Sequence, residues 1–123
     1  RAGVPRIVFL SSGGAVYGPA PLLPIPETAP TEPISSHGVV KLAIEKYLAA
    51  YERQHGMAAF ALRVANPFGP GQTGLTGQGA VGVFLRRALA GEPIDVWGTG
   101  AAQRDYLFVD DAVDAVLRTG DYD

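Results

Sequence analysis

"SSHGVVKLAIEKYLAAYERQHGMAAFALRVA", residues 35–65, carries a helix, its stop and a strand in one run. Ser35 or Ser36 stands ahead of the helical pattern as an N-cap, and Gly56 is the residue type that closes helices in the left-handed conformation. The pattern therefore predicts a helix over roughly 35–55. "MAAFALRVA" at 57–65 is short and apolar and reads as a buried strand. Upstream, "RIVFLS" at 6–11 is a second continuous apolar run, β-branched and aromatic in part. Such a run suits a strand covered on both faces of a parallel sheet.

Between the two strands, residues 18–34 hold six prolines and must be irregular. Beyond them, 66–79 holds five glycines and two prolines and reads as a loop. "AVGVFLRRALA" (80–90) has helical spacing and ends at Gly91. "PIDVWG" (93–98) and "RDYLFV" (104–109) read as short strands, and "DDAVDAVLRTG" (110–120) as a helix capped by Asp110 and closed by Gly120. This order points to an α/β fold with a largely parallel sheet. Ligands of open parallel sheets lie beyond the carboxyl ends of the strands. "SSGGAVYG" (11–18), "NPFGPG" (66–71) and the head of the 35–55 helix are therefore expected to converge on one crevice.

The composition agrees with a globular chain. Of 123 residues, 47% are hydrophobic and 18% charged, enough for one domain with a real core. A net charge of −2 without a Lys/Arg run argues against a nucleic-acid or anionic-membrane surface. The absence of cysteine removes disulfide, zinc-finger and thiol chemistry, and no metal site is expected. No apolar run reaches transmembrane length and no signal peptide precedes the first strand, so a cytoplasmic protein is expected. The chain opens at Arg1 without methionine and stops at Asp123 just past a helical pattern, which reads as a piece of a longer protein.

His37 and Lys41 lie four apart and so share a helix face. Taken by spacing alone, the pair is better read as a solvated histidine beside an unrelated lysine. The wider pattern changes that. "FLSSGGAVYG", "SSHGVVKLAIEKYL", "LRVANPFGPGQ" and "GEPIDVWGTGAAQRDYLFVDDAVDAV" follow the order and spacing of the extended short-chain dehydrogenase/reductases. Among these the chain most resembles the NAD-dependent epimerase/dehydratase family, in particular its UDP-glucose 4-epimerase-like members, over nearly its whole length.

The resemblance implies a partial Rossmann-type, doubly wound and mostly parallel sheet. Residues 1–66 would be the late part of the NAD-binding domain with its catalytic helix. Residues 67–123 would belong to the lobe that binds the nucleotide sugar, followed by returning elements. NAD is the implied cofactor, a UDP-hexose the implied substrate, and a homodimer built on the long helix the implied assembly. The family's glycine-rich phosphate turn lies upstream of these motifs. "SSGGAVYG" lacks that spacing, so this chain alone is expected not to bind NAD tightly.

By the same resemblance, His37 stands where the family has its tyrosine base, with Lys41 in register as the residue that activates the phenol and holds the nicotinamide ribose. A base must be substantially deprotonated near neutral pH. Phenol, at about 10, needs the cation for that, whereas imidazole, at about 6.5, does not. The imidazole is shorter, and a misplacement of about 1 Å can cost roughly a hundredfold. Ser11 and Ser12 are implied at the cofactor. Asn66 and Arg104 are implied on the substrate's phosphates, and Trp97 beside its base. Taken singly, these three read as a turn, a surface ion pair with Asp105 and plain packing.

Gly13 falls on the family's catalytic Ser/Thr position and supplies no hydroxyl. Gly14 and Ala15 stand where sugar 4,6-dehydratases of similar sequence have an Asp-Glu pair. Epimerisation, which needs no such pair, is therefore favoured. The alternatives are a reductase or decarboxylase of the same fold, and a nucleotide-sugar-binding module without turnover.

Overall fold

Two parallel strands and the helix that connects them organise the first half of the chain. β1 (Arg6–Ser12) and β2 (Ala58–Val64) pair in parallel, with Arg6 opposite Ala58 and Ser12 opposite Val64. α1 (Ser36–His55) makes the crossover that parallel strands require. The computed structural model describes residues 3–19, 22–74 and 77–122. It divides into two compact units, one of Arg1–Ala65 with Ala115–Asp123 and one of Asn66–Asp114.

In the first unit both predicted ends of α1 are where their chemistry puts them. Ser35 is extended, and its hydroxyl oxygen accepts from the Gly38 N–H at 3.2 Å. Gly56 takes φ 66° and its N–H donates to the Glu52 carbonyl. Arg53 and His55 occupy the last turn, where positive charge suits the helix dipole.

The β1–β2 ladder continues one step further, as the Gly13 N–H donates to the Val64 carbonyl at 3.1 Å. Val16 and Tyr17 then turn inward and are buried, so the loop after β1 is tied down. The head of α1 approaches that loop closely because Gly38 has no side chain: a Cβ there would lie 2.2 Å from the Ala15 carbonyl oxygen. At the other end of β1, the Arg6 guanidinium donates to the carbonyls of Gly120 and Tyr122 and lies over the Phe60 ring.

Burial of β1 on both faces is not what the structure shows. α1 packs on the strand pair, while Ile7 and Leu10 remain 39% and 49% exposed. Ile7 and Leu10 are three apart and so lie on opposite faces of the strand, which means that a two-stranded sheet with one helix leaves part of each face open.

In the second unit, β3 (Pro67–Phe68) and β4 (Leu107–Phe108) form a second parallel pair. α2 (Ala80–Ala90) lies between them in the chain and closes at Gly91, again with φ 66°. α3 (Val109–Arg118) starts directly after β4 and runs on into the first unit, to which the 3-10 turn at Thr119–Asp121 also belongs.

Several local expectations are corrected here. β3 falls inside the predicted 66–79 loop. No strand forms over 93–98, and the second predicted strand shrinks to Leu107–Phe108. Alternating apolar residues make a strand only if a partner buries one face. Ile94, Val96 and Trp97 are all exposed. Asp110 is not the cap of α3; it sits with Asp111 in the first turn, where a carboxylate acts on the helix dipole. Among the described residues, no helix is long and apolar enough to cross a membrane.

The close approach at Gly38 gives a stability test. Gly38→Ala should lower the unfolding free energy by about 1–3 kcal/mol in urea titrations, because backbone and not a flexible side chain must move aside. An unchanged midpoint would show that the loop and the helix head do not depend on each other.

Candidate functional site

His37, Lys41 and Glu45 are spaced four apart on α1 and therefore line one face of it. Lys41 Nζ donates to the Leu10 carbonyl at 2.7 Å and lies 4.8 Å from the centroid of the Phe9 ring. This fixes the ammonium against the carboxyl end of β1. His37, one turn earlier, is exposed, and its ring makes no hydrogen bond among the described residues. Gly38 holds this head of the helix against Ala15, so the "SSGGAVYG" loop and the His37 turn are brought together.

The two serines of that loop differ. Ser12 Oγ accepts from the Ala15 N–H at 3.3 Å and stays partly exposed. Ser11 is 6% exposed and its hydroxyl donates to Glu45 Oε1 at 2.5 Å. At position 13 there is no room for a side chain: a Cβ would stand 2.7 Å from the Arg63 carbonyl oxygen.

Behind the helix face lies an interior network that the sequence reading largely passes over. Arg63 NH2 donates to Glu45 Oε2 at 2.7 Å, its Nε reaches the same carboxylate, and its NH1 donates to the Tyr17 hydroxyl at 2.7 Å. The guanidinium carbon is also 4.9 Å from the Tyr17 ring centroid. Burial pushes the Glu45 carboxyl up, but the hydrogen bonds from Arg63 and Ser11, with the charge of Arg63 and Lys46, outweigh it and hold the group below the ordinary carboxylate range. The hydrogen bond to Glu45 outweighs burial at Arg63 and raises its pKa further. A signal was available in the sequence. Arg63 is the charged residue of an otherwise apolar strand, and such a charge needs a partner.

The second unit has a cleft of about 230 Å³ that gathers Asn66, Gln72, Arg104, Tyr106 and the start of α2. Asn66 adopts φ 30°, a region that asparagine tolerates better than most residues, and its side-chain amide donates to the Asp105 carbonyl at 2.9 Å. Arg104 is exposed and donates to the carbonyl of its neighbour Gln103. Among the described residues it forms no ion pair with Asp105. Trp97 does not line the cleft; it is 92% exposed. Two of the three residues expected at the substrate thus come together, and the third does not join them.

Comparison with known proteins shows the family of the chain. The sequence signature of the NAD dependent epimerase/dehydratase family matches residues 1–122. A UDP-glucose 4-epimerase of Mycolicibacterium smegmatis is 40% identical over 119 residues, which cover 97% of this chain and 38% of that protein. The crystal structure of UDP-glucose 4-epimerase from Thermotoga maritima with UDP-glucose superposes with a TM-score of 0.92 at 41% identity, over 95% of this chain and 38% of the other. The Thermus thermophilus UDP-glucose 4-epimerase complex with NAD gives 0.84 at 36% identity, over 94% of this chain and 40% of the other. The chain therefore spans about two fifths of the length of these relatives.

The Glu45 carboxylate makes the first unit sensitive to acid. Its folded pKa is depressed, so its contribution is fully present above the ordinary carboxylate pKa of about 4.3 and is lost as pH falls through the lower folded value. Arg63 stays charged throughout and adds no slope. Glu45→Gln should cost roughly 2 kcal/mol at neutral pH, below the usual loss for a broken buried pair because Arg63 is a quarter exposed. The variant should also lose part of the acid dependence in urea melts between pH 3 and 7. Identical pH profiles for the two proteins would remove Glu45 from this role.

Proposed function

The chain belongs to the NAD-dependent epimerase/dehydratase family, and on that footing we propose that the protein is a UDP-hexose 4-epimerase acting through bound NAD in the cytoplasm. The cleft that gathers Asn66 and Arg104 carries the reading: the family pattern assigns both to the diphosphate, and among the described residues no carboxylate lines the cleft. An arginine fork suits phosphate oxygens. Trp97, with its ring open to solvent, offers a stacking surface for the uracil.

The family is NAD-dependent, and the surroundings of Lys41 fit the nicotinamide ribose. Its ammonium has three donors and gives one to Leu10, which leaves the others at the strand end. Ser12 borders the same place with its hydroxyl, and Ser11 from the strand, its own hydroxyl held by Glu45. When bound there, NAD would supply the hydride acceptor and donor that epimerisation requires. His37 takes the proton of the reacting sugar hydroxyl and gives it back on the return, and Lys41 holds the ribose in place.

A nucleotide-sugar-binding module without turnover is the second reading. Gly13 favours it, since the backbone of Arg63 leaves that position no space for the family's hydroxyl. The assembly we propose is a homodimer through α1. Val40, Tyr47 and Tyr51 are each more than half exposed and repeat along one helix face.

The full-length protein tests these readings. Addition of UDP-hexose should transiently reduce the bound nicotinamide, seen by absorbance, and yield the 4-epimer; binding without reduction would favour the module. His37→Tyr should raise turnover about tenfold, or roughly 1.4 kcal/mol at the transition state, because the phenolic oxygen reaches further than the imidazole nitrogen. Lys41→Met added to that variant should remove most of the gain. Equal rates for the histidine and tyrosine forms would establish His37 as a competent base. Tyr47→Lys should shift sedimentation from dimer to monomer, and an unchanged profile would move the interface away from this helix face.

A further inference from the structure

We propose that Gln72 is a specificity-determining residue of the second unit's cleft: it caps α2 from outside the helix with an uncharged group and so keeps the cleft open to an anion. This rests on the nucleotide reading of that cleft given above.

The first amides of any helix lack acceptors within it. α2 follows Gly79, which has φ 80° and no side chain to serve as a cap. Gln72 takes over that task from another part of the chain. Its Oε1 accepts from the Gly82 N–H at 3.1 Å, on the third residue of α2, and its Nε2 donates to the Pro67 carbonyl at 3.4 Å. One amide group thereby bridges the start of β3 and the first turn of α2. Glycines make room for it. A Cβ at Gly79 would lie 2.4 Å from Gln72 Nε2, and one at Gly82 would lie 2.9 Å from the Gln72 carbonyl oxygen.

The choice of an amide matters for charge. A carboxylate at a helix N-terminus would cap the Gly82 N–H as well and would suit the dipole better. It would also sit in the cleft that Arg104 lines, cancelling that cation and repelling a diphosphate. Gln72 satisfies the Gly82 donor and the Pro67 acceptor, which a carboxylate could not do together, and it adds no charge. Ala80 and Val81, the first two residues of α2, also line the cleft. Among the described residues, Arg104 is the one full charge in the lining.

Two variants separate the cap from the charge, with UDP as the probe in calorimetric titrations of this chain. Gln72→Ala should speed hydrogen exchange of the Gly82 amide about fivefold or more, and Gln72→Glu should restore its protection. Gln72→Glu should nevertheless bind UDP at least about tenfold more weakly at low salt, with the deficit shrinking at high salt. A purely structural glutamine would instead give a loss of affinity in Gln72→Glu that is the same at low and high salt. UDP affinity in Gln72→Glu equal to that of the unaltered chain overturns the charge selectivity. Unchanged Gly82 exchange in Gln72→Ala overturns the cap. If the unaltered chain takes up no UDP, the nucleotide assignment of the cleft falls and the selectivity with it, whereas the Gly82 exchange still decides the cap.

Discussion

The ion pair between Arg63 and Glu45 is the constraint on which the first unit depends. A guanidinium on a mostly apolar strand is costly unless its charge and its donors are matched. Here the carboxylate of Glu45 takes two edges of the fork and the Tyr17 hydroxyl takes another, while Ser11 completes the carboxylate. Four segments are joined at one point: β1, the loop after it, α1 and β2. Because Glu45 is pinned, the rotation of α1 about its axis is set. Lys41 and His37 then follow, one and two turns nearer the helix head, at the carboxyl end of β1. The presentation of the candidate base and its lysine is therefore a consequence of a contact in the interior behind them.

The second unit is organised differently. Its sheet has only two residues in each strand, and polar side chains do much of the positioning. Asn66 holds the backbone at Asp105 and thereby fixes where Arg104 departs from the chain, while Gln72 holds the first turn of α2. Arg104 and Trp97 are left exposed. An exposed guanidinium and an exposed indole keep their binding capacity for a ligand, where packed ones would not.

Much of this was legible in the chain. The periodic run at roughly 35–55, with Ser35 or Ser36 as its cap and a glycine after it, became α1 (Ser36–His55) with both caps in place. The runs at 6–11 and 57–65 became the paired strands Arg6–Ser12 and Ala58–Val64. The family motifs located His37, Lys41, Asn66 and Arg104 as residues of interest, and the cleft unites the last two. Elsewhere the reading failed for a common reason. "PIDVWG" has the composition of a strand but no partner, and Pro67–Phe68 has the composition of a loop but gains one in Leu107–Phe108. A strand is a property of a pair, and a single segment does not reveal whether its pair exists.

The sequence by itself determined what local chemistry decides: where helices start and stop, which runs are apolar enough for strands, and which family the motifs resemble. Caps, helical spacing and left-handed glycines act within a few residues, so they can be read in order along the chain. Only the tertiary structure decided that Ser11 serves Glu45, 34 residues away, and that Arg63 meets it from 18 residues beyond. Likewise, only the fold could show Arg6 gripping a carbonyl 114 residues later, or Gly13 lying too close to Arg63 for any side chain. Such contacts depend on which backbone passes beside which. That is settled by the joint packing of the strands and the helix, and no single stretch of sequence contains it.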